Sequence, residues 1–378
     1  MITLQLRQRA SFLLEQWRPW LPVPQGLDQL NPLTLDYLQV ADKDFQFIHC
    51  DSESLSEWRP LSEPNNIPEL RSMLPKQASY CATLLLRSRP WRAFCQHGQV
   101  LRISRRIVHD PSTNWDSIYG RSWPLSPALP RRGLILNLTN HGTPNLYHWL
   151  FNPTLQLLRQ LESGAFDASK ASAIYLGPAW PDVWPTYVEK TLMHLGLAQL
   201  PRIRRAVWPQ QLLMSVFAST TVAPSPTQFQ WLRRHLSPPR LRGGLRLYLG
   251  RALAGRRRVL NERPLMAALE SLGFTCIPDP SNLDFEHQCR LLSEADVVVA
   301  PHGAVLSLLF CCAPGTKILE VHCPGYLSPL YAWMAAFGGL RYRSLMGCAR
   351  ANPAEPQMDD LWVDISLVLH HLADWGIE

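Results

Sequence analysis

Between Leu245 and Leu345, short apolar runs alternate without a break with longer stretches whose apolar residues recur at helical spacing. The runs predict strands at Leu245–Leu249, Thr275–Ile277, Val297–Ala300, Lys317–Val321 and Arg341–Leu345. The stretches between them predict helices at Glu262–Leu272, Phe285–Ser293, from Ala304 onward, and at Leu330–Phe337. A helix between successive strands carries the chain back across the sheet, so the strands run parallel. Local chemistry agrees: Asn261 suits a helix N-cap, Pro264 is tolerated in a first turn, and Gly273 can end the same helix. An open parallel sheet takes its ligands beyond the carboxyl ends of its strands.

The N-terminal half is less regular. Gly133–Leu138 reads as a buried strand, Tyr147–Leu161 as a helix, Ala173–Leu176 as a strand, Val183–Leu195 as a helix and Arg205–Trp208 as a short strand. Before residue 130 only short elements between Pro-marked turns are legible. Ser237–Gly244, rich in Pro, Gly and Arg, separates the two patterns. At 378 residues the chain exceeds one ordinary domain, so the expectation is an α/β domain over 1–236, a parallel α/β domain over 237–350 and a closing helical segment over 351–378, read at Leu361–Trp375.

An apolar fraction of 46% with 18% charged residues excludes wholesale disorder. The net charge of +7 comes mainly from Arg, nine of which lie between Arg233 and Arg258. An anionic partner, a nucleic-acid patch and a solvated face all fit that run. No RNA-binding or helix-turn-helix signature supports nucleic acid, which is not expected as a partner. Nine Cys without a CxxC pair suit a reducing compartment. The N-terminus lacks a long apolar core, and no run approaches the roughly 18–20 residues that cross a bilayer. The chain therefore reads as cytoplasmic, with basic residues available to the inner face of a membrane.

Three polar clusters fall at predicted strand ends: Gly250-Arg251, Pro301-His302-Gly303, and Glu320 with His322. The His302-Gly303-Ala304 turn opens a helix whose free N–H groups can hold phosphate. A glycine there is equally a backbone device, and His302 equally a hydrogen-bonded strand cap. Arg251, with one or more of Arg256, Arg257 and Arg258, can neutralise a diphosphate. Arg251 is favoured because a strand end fixes it, while the triple arginine reads as a solvated loop. Glu320 can accept from ribose hydroxyls or serve as a salt-bridged carboxylate. Upstream, Asn145, Tyr147, His148 and Trp149 open a helix after a strand. Aromatic faces stack on sugars and His148 can act as a general base, although the same residues also make an apolar helix start with a core histidine. Asp42-Lys-Asp44 matches a metal-binding DxD but precedes its apolar run and reads as surface. The chain has no GxxxxGK[ST], GxGxxG, HExxH or GxSxG, which argues against a P-loop enzyme, a dinucleotide oxidoreductase, a zincin and an α/β-hydrolase.

In their order and spacing, Asn145–Trp149, Tyr248–Arg251, Arg258–Glu262, Gly273-Phe274, Phe285–Gln288 and above all ADVVVAPHGAVLSLLFCCAPGTKILEV from Ala295 resemble glycosyltransferase family 61. The resemblance covers about Asn137–Leu345 and points to capsular and other polysaccharide synthesis. It implies a GT-B fold, two Rossmann-like domains with parallel sheets facing a central cleft, the first binding acceptor and the second nucleotide sugar, with the closing helix crossing back. It further implies inverting transfer to a glycan, lipid-linked saccharide or protein acceptor, with the nucleotide sugar as co-substrate and no essential metal. Carried onto this chain, it places Arg251, His302, Gly303, Ala304, Lys317 and Glu320 at the donor and Asn145, Tyr147, His148 and Trp149 at the acceptor. His148, Arg251 and His302 are then the catalytic set. The chain departs from the family pattern at Gly250, Val305, Leu308 and Asn152, where Ser, Gly, Asn and Asp are usual. Those departures leave open a catalytically silent relative that binds nucleotide sugar or glycan as an assembly partner.

Overall fold

The structure, a computed structural model, describes residues 27–29, 45–50, 54–60, 63, 67–74, 81–87, 93–96, 100–103, 106–109, 129–138, 145–151, 157–158, 167–177, 183–205, 207–217, 224–349 and 360–378. Ten strands form the N-terminal sheet: β1 (Leu27–Gln29), β2 (Phe45–Cys50), β3 (Cys81–Arg87), β4 (Ala93–Gln96), β5 (Val100–Ile103), β6 (Arg106–His109), β7 (Leu129–Asn137), β8 (Ala171–Tyr175), β9 (Arg202–Ile203) and β10 (Val207–Phe217). Its parallel part is β10-β7-β8-β9. On the other flank of β10, β3 and β4 pair antiparallel, β2 adds to β3, and β5 and β6 extend from β4. The expected parallel unit is thus joined to antiparallel strands that precede it in the chain. The strand expected at Arg205–Trp208 is the start of the 11-residue β10. Pro209 interrupts the apolar run there, and the pairing absorbs it by a register shift between Pro209 and Gln211.

Helices α1 (Pro68–Ser72), α2 (Leu146–Phe151), α3 (Thr186–His194) and α4 (Pro226–Leu236) belong to this half. The helix expected over Tyr147–Leu161 is seen as α2 and again at Leu157 and Leu158; residues 152–156 and 159–161 lie outside the described set. A capping box starts α4, with Ser225 and Gln228 satisfying each other's backbone N–H groups.

The C-terminal sheet is wholly parallel, in the order β12-β11-β13-β14-β15, from β11 (Leu245–Leu249), β12 (Phe274–Ile277), β13 (Ala295–Pro301), β14 (Lys317–His322) and β15 (Arg341–Met346). The crossovers include α5 (Glu262–Glu270), α6 (Phe285–Glu294) and α7 (Leu330–Gly338); after β13 the crossover is a 3₁₀ helix, Ala304–Cys311. The closing helix, α8 (Ile365–Ala373), starts later than expected because Asp364 caps it and because β17 (Leu361–Trp362) pairs with β16 (Cys348–Ala349). Asn261 stands at the N-cap position of α5, yet its amide exchanges two hydrogen bonds with the Val363 backbone, at 2.7 and 2.9 Å. The residue read as a cap is a tertiary staple.

Strand alternation divides the core between the two faces of this sheet. Tyr248, Val297, Val299, Leu319 and Val321 pack with α5 and α8. Leu247, Leu249, Val298, Ala300 and Ile318 face a cluster that continues into Leu136, Trp149, Phe229 and Leu232 of the N-terminal half. Polar groups also cross between the halves. The Arg233 guanidinium donates to the carbonyls of Phe310, Cys312 and Gly338, and Lys190 pairs with Glu286 at 2.8 Å. Arg240 pairs with Asp296 and Arg258 with Asp360. Several of the nine clustered arginines therefore serve the fold itself. Among the described residues no helix is long and apolar enough to cross a membrane.

Candidate functional site

Sheet register assembles a polar cluster at the carboxyl rim. Glu320 on β14 lies across from Ala300 on β13 and from Ser344 on β15. With a period of two, His302, Glu320, His322 and Tyr342 then share one face. His302 Nδ1 bonds one Glu320 carboxylate oxygen and the Tyr342 hydroxyl donates to the other. His322 Nε2 lies 3.3 Å from the Tyr342 hydroxyl and 3.6 Å from Glu320, and its ring stacks on His302 with centroids 5.4 Å apart. Glu320 and His322 are 0% exposed and His302 only 6%. A carboxylate accepts only, so Nδ1 of His302 carries the proton and Nε2 is the acceptor.

Burial sets the titration of this cluster. It pushes His302 well below the usual histidine range, helped by Arg257 and Arg251, and His322 down to about 4. It raises Glu320 and Tyr342. A histidine whose folded pKa lies below its unfolded value stabilises the fold above the unfolded pKa, and loses that contribution as pH falls toward the folded one. The histidine contribution to the unfolding free energy is thus expected to fall between pH 6.5 and about 4, by up to about 1.4 kcal/mol per pH unit for each histidine, while the raised Glu320 works in the opposite sense. Urea midpoints across that range check this; His322→Phe should flatten the slope, and an unchanged slope would remove His322 as its source.

Arg251 follows β11 at the same rim. Its backbone N–H donates to Glu262 Oε1 at 3.2 Å, which also accepts from the Tyr248 hydroxyl at 3.0 Å. Its guanidinium donates to the Arg256 carbonyl at 3.3 Å and lies against Gly303, where a Cβ would strike Nη1. The backbone of Gly303 is extended, at φ −171°, so the site needs glycine there for space. Burial, with Arg257 next in effect, pushes Arg251 down to about 10. Ala304 opens the 3₁₀ helix behind Gly303, with no side chain capping its first turn.

Gly250 is similarly constrained. A Cβ there would collide with Glu262 Oε1 and the Pro278 carbonyl. Gly250→Ser is expected to destabilise the fold by about 1–3 kcal/mol in a denaturant titration. A midpoint equal to wild type would show that the Glu262 side chain and the loop yield freely.

The N-terminal half of the chain meets this rim through α2, which packs on the 3₁₀ helix. Asn145 Oδ1 accepts from the Tyr147 N–H at 2.9 Å and starts the helix. Tyr147 is buried, its hydroxyl has no hydrogen-bond partner among the described residues, and it lies within electrostatic reach of Tyr331 and Tyr326, whose rings are 5.0 and 5.3 Å from His302. His148 is half-buried, edge-on to Tyr147. The structure thus brings Tyr147 within reach of the tyrosine rings beside His302.

Three expected site residues are placed otherwise. Trp149 is 0% exposed and donates its indole N–H to Thr191 at 2.7 Å, so it fills the core and offers no face to a sugar. Lys317 starts β14, at the opposite edge of the sheet, and donates to the Trp375 carbonyl at 2.8 Å. Glu320 has both oxygens engaged beneath His302 and presents none to a ribose. Asn152, Asp42 and Asp44 lie outside the described residues. Arg257, read from sequence as solvated, is half-buried beside His302, with its guanidinium 4.6 Å over the Tyr326 ring. Three successive arginines carry no signal of which one turns inward.

His302, Glu320 and His322 offer ligand atoms within 4.8 Å of one another, the spacing of a cation site. The Nδ1 proton already occupies the space between His302 and Glu320, and Arg251 and Arg257 place positive charge alongside. The chemistry of this set fits a hydrogen-bonded network better than a bound cation.

The sequence model of Glycosyltransferase 61 matches residues 128–319. A stretch of 95 residues is 33% identical to the beta-1,2-xylosyltransferase RCN11 of Oryza sativa subsp. japonica, covering 23% of this chain and 18% of that protein. The likeness thus spans less than a fifth of that relative's length.

Proposed function

The chain belongs to glycosyltransferase family 61, and from that membership we propose that it moves a sugar from a nucleotide-sugar donor to a glycan, lipid-linked saccharide or protein acceptor, inverting the anomeric carbon without an essential metal. In this reading residues 1–236 bind acceptor, 237–350 bind donor and 351–378 cross back, as in a GT-B enzyme. One observation carries it: two arginines, Arg251 and Arg257, meet at a sheet rim beside an uncapped helix start, and neither pairs with a carboxylate among the described residues. Asp279 attracts Arg251 without forming an ion pair, so these half-buried charges stay incompletely neutralised, and an anionic ligand at that rim offsets the cost.

The acceptor hydroxyl attacks the anomeric carbon as the bond to the diphosphate oxygen breaks. His148, on the α2 side, takes the hydroxyl proton. Arg251 and the N–H groups behind Gly303 stabilise the charge that grows on the leaving diphosphate. Gly303 permits that approach, and Glu320 with Tyr342 holds the His302 ring in place below it.

Purified protein incubated with a panel of nucleotide sugars is expected to release free nucleotide from one of them at a rate unchanged by EDTA. His148→Ala should lower kcat by about 10²–10⁴-fold. Binding of a nucleotide sugar with no release of nucleotide, with or without acceptors, would turn the reading to a silent relative. Inhibition by EDTA reversed by a divalent ion would remove the metal-independent mechanism.

A further inference from the structure

The fold splits the run Arg256-Arg257-Arg258 in three directions. Arg256 is exposed, Arg258 pairs with Asp360 at 2.7 Å, and Arg257 turns toward the rim. Among the described residues Arg257 is the one non-glycine with a positive φ, 56°, a conformation unfavourable for a side chain of its size. The loop cannot relax out of it easily, because both ends are pinned. Gly250 and Ala252 donate to the Ile277 and Pro278 carbonyls at 2.8 and 2.9 Å, while the Arg258 N–H donates to the Asp360 carboxylate and the Arg258 carbonyl accepts from the Leu361 N–H, both at 2.8 Å. Strain of this kind persists where the surrounding structure over-determines it, and it gathers at ligand clamps.

The inward guanidinium is short of partners. Among the described residues Arg257 Nε is buried with no hydrogen bond, as is Nε of Arg251, and the side chain rests on the face of Tyr326, which is 39% exposed. The groups facing it are Arg251 and Arg256 from its own loop, His302 after β13, Glu320 on β14, Tyr326 from the next loop and Tyr331 on α7. The one carboxylate of this set is consumed by His302 and Tyr342.

We propose that Arg257, whose guanidinium lies over the Tyr326 ring, is a second donor-binding residue that engages the terminal phosphate of the nucleoside diphosphate beside Arg251. This rests on the donor-site reading above. The diphosphate gains charge when the glycosidic bond breaks, so a second cation at its terminal phosphate contributes more to the departing group than to the intact donor. Arg257 then separates a nucleoside diphosphate from a monophosphate, while Arg251 serves both.

Dissociation constants by calorimetry for UDP, GDP, UMP and GMP test this in the full chain with Arg251→Ala, Arg257→Ala and Arg257→Gly. Glycine removes the guanidinium but accepts the backbone conformation without strain, so it separates the two contributions and protects against misfolding. For the diphosphate that binds wild type, both Arg257 variants are expected to weaken binding about 10–100-fold, and the matching monophosphate by less than about threefold. If Arg251→Ala abolishes diphosphate binding while both Arg257 variants keep wild-type affinity, Arg257 is structural and the inference fails alone. If no diphosphate binds wild type, the donor-site reading falls and takes the inference with it.

Discussion

Arg251→Ala is expected to lower kcat/KM for the nucleotide sugar by roughly 10²–10³-fold while leaving the unliganded fold within about 1 kcal/mol of wild type. The two halves of that result have separate causes. On the functional side, Arg251 is fixed at the end of β11, its backbone is held by Glu262, and its guanidinium lies against the bare backbone of Gly303. Such a preorganised charge acts on the leaving group without rearranging, which is why its loss costs orders of magnitude in rate. On the stability side, among the described residues the guanidinium makes one hydrogen bond, to the Arg256 carbonyl, leaves Nε buried and unpartnered, and sits beside Arg257. Truncation gives up one weak bond and removes a repulsion. Steady-state kinetics together with a urea titration check both halves. A variant with wild-type turnover would remove Arg251 from the reaction, and a rate loss matched by lost folded protein would make the residue structural.

Glu320→Ala is expected to act in the opposite sense, destabilising the fold by about 3–5 kcal/mol. The carboxylate is fully buried, with one oxygen taken by His302 and the other by Tyr342. Its removal strands a ring N–H and a phenol in a site closed to water and opens a void between three strands. Tyr342→Phe removes only one donor and should cost about 1–2 kcal/mol. Because Glu320 also fixes the His302 tautomer, residual folded Glu320→Ala protein should turn over donor slowly. A loss below about 1 kcal/mol in the denaturant midpoint would show that the cluster is held by packing around it.

Much of the C-terminal half was legible because its signal is local. Five apolar runs separated by helical stretches admit little but a parallel sheet, and the expected strands are found within a residue or two of their predicted ends. Convergence of Arg251, His302 and Gly303 at one rim followed from that topology alone. The strands before residue 130 were not legible, since they are short and β3 and β4 are placed by pairing with β10 far along the chain, and β10 runs through a proline that a pattern reading treats as a stop.

What the sequence by itself determined is the alternation of elements, the edge of the sheet where its polar residues gather, and the family to which its motifs belong. These depend on period, on local capping and turn residues, and on motif order, all of which are written along the chain. Which side chains reach that edge was decided only by tertiary structure. Trp149 turns into the core, Lys317 lies at the far edge, Glu320 sinks beneath His302, and Arg257 alone of three arginines points inward. Those outcomes depend on strand register and on how a pinned loop turns its residues, and neither leaves a repeating trace in the order of amino acids.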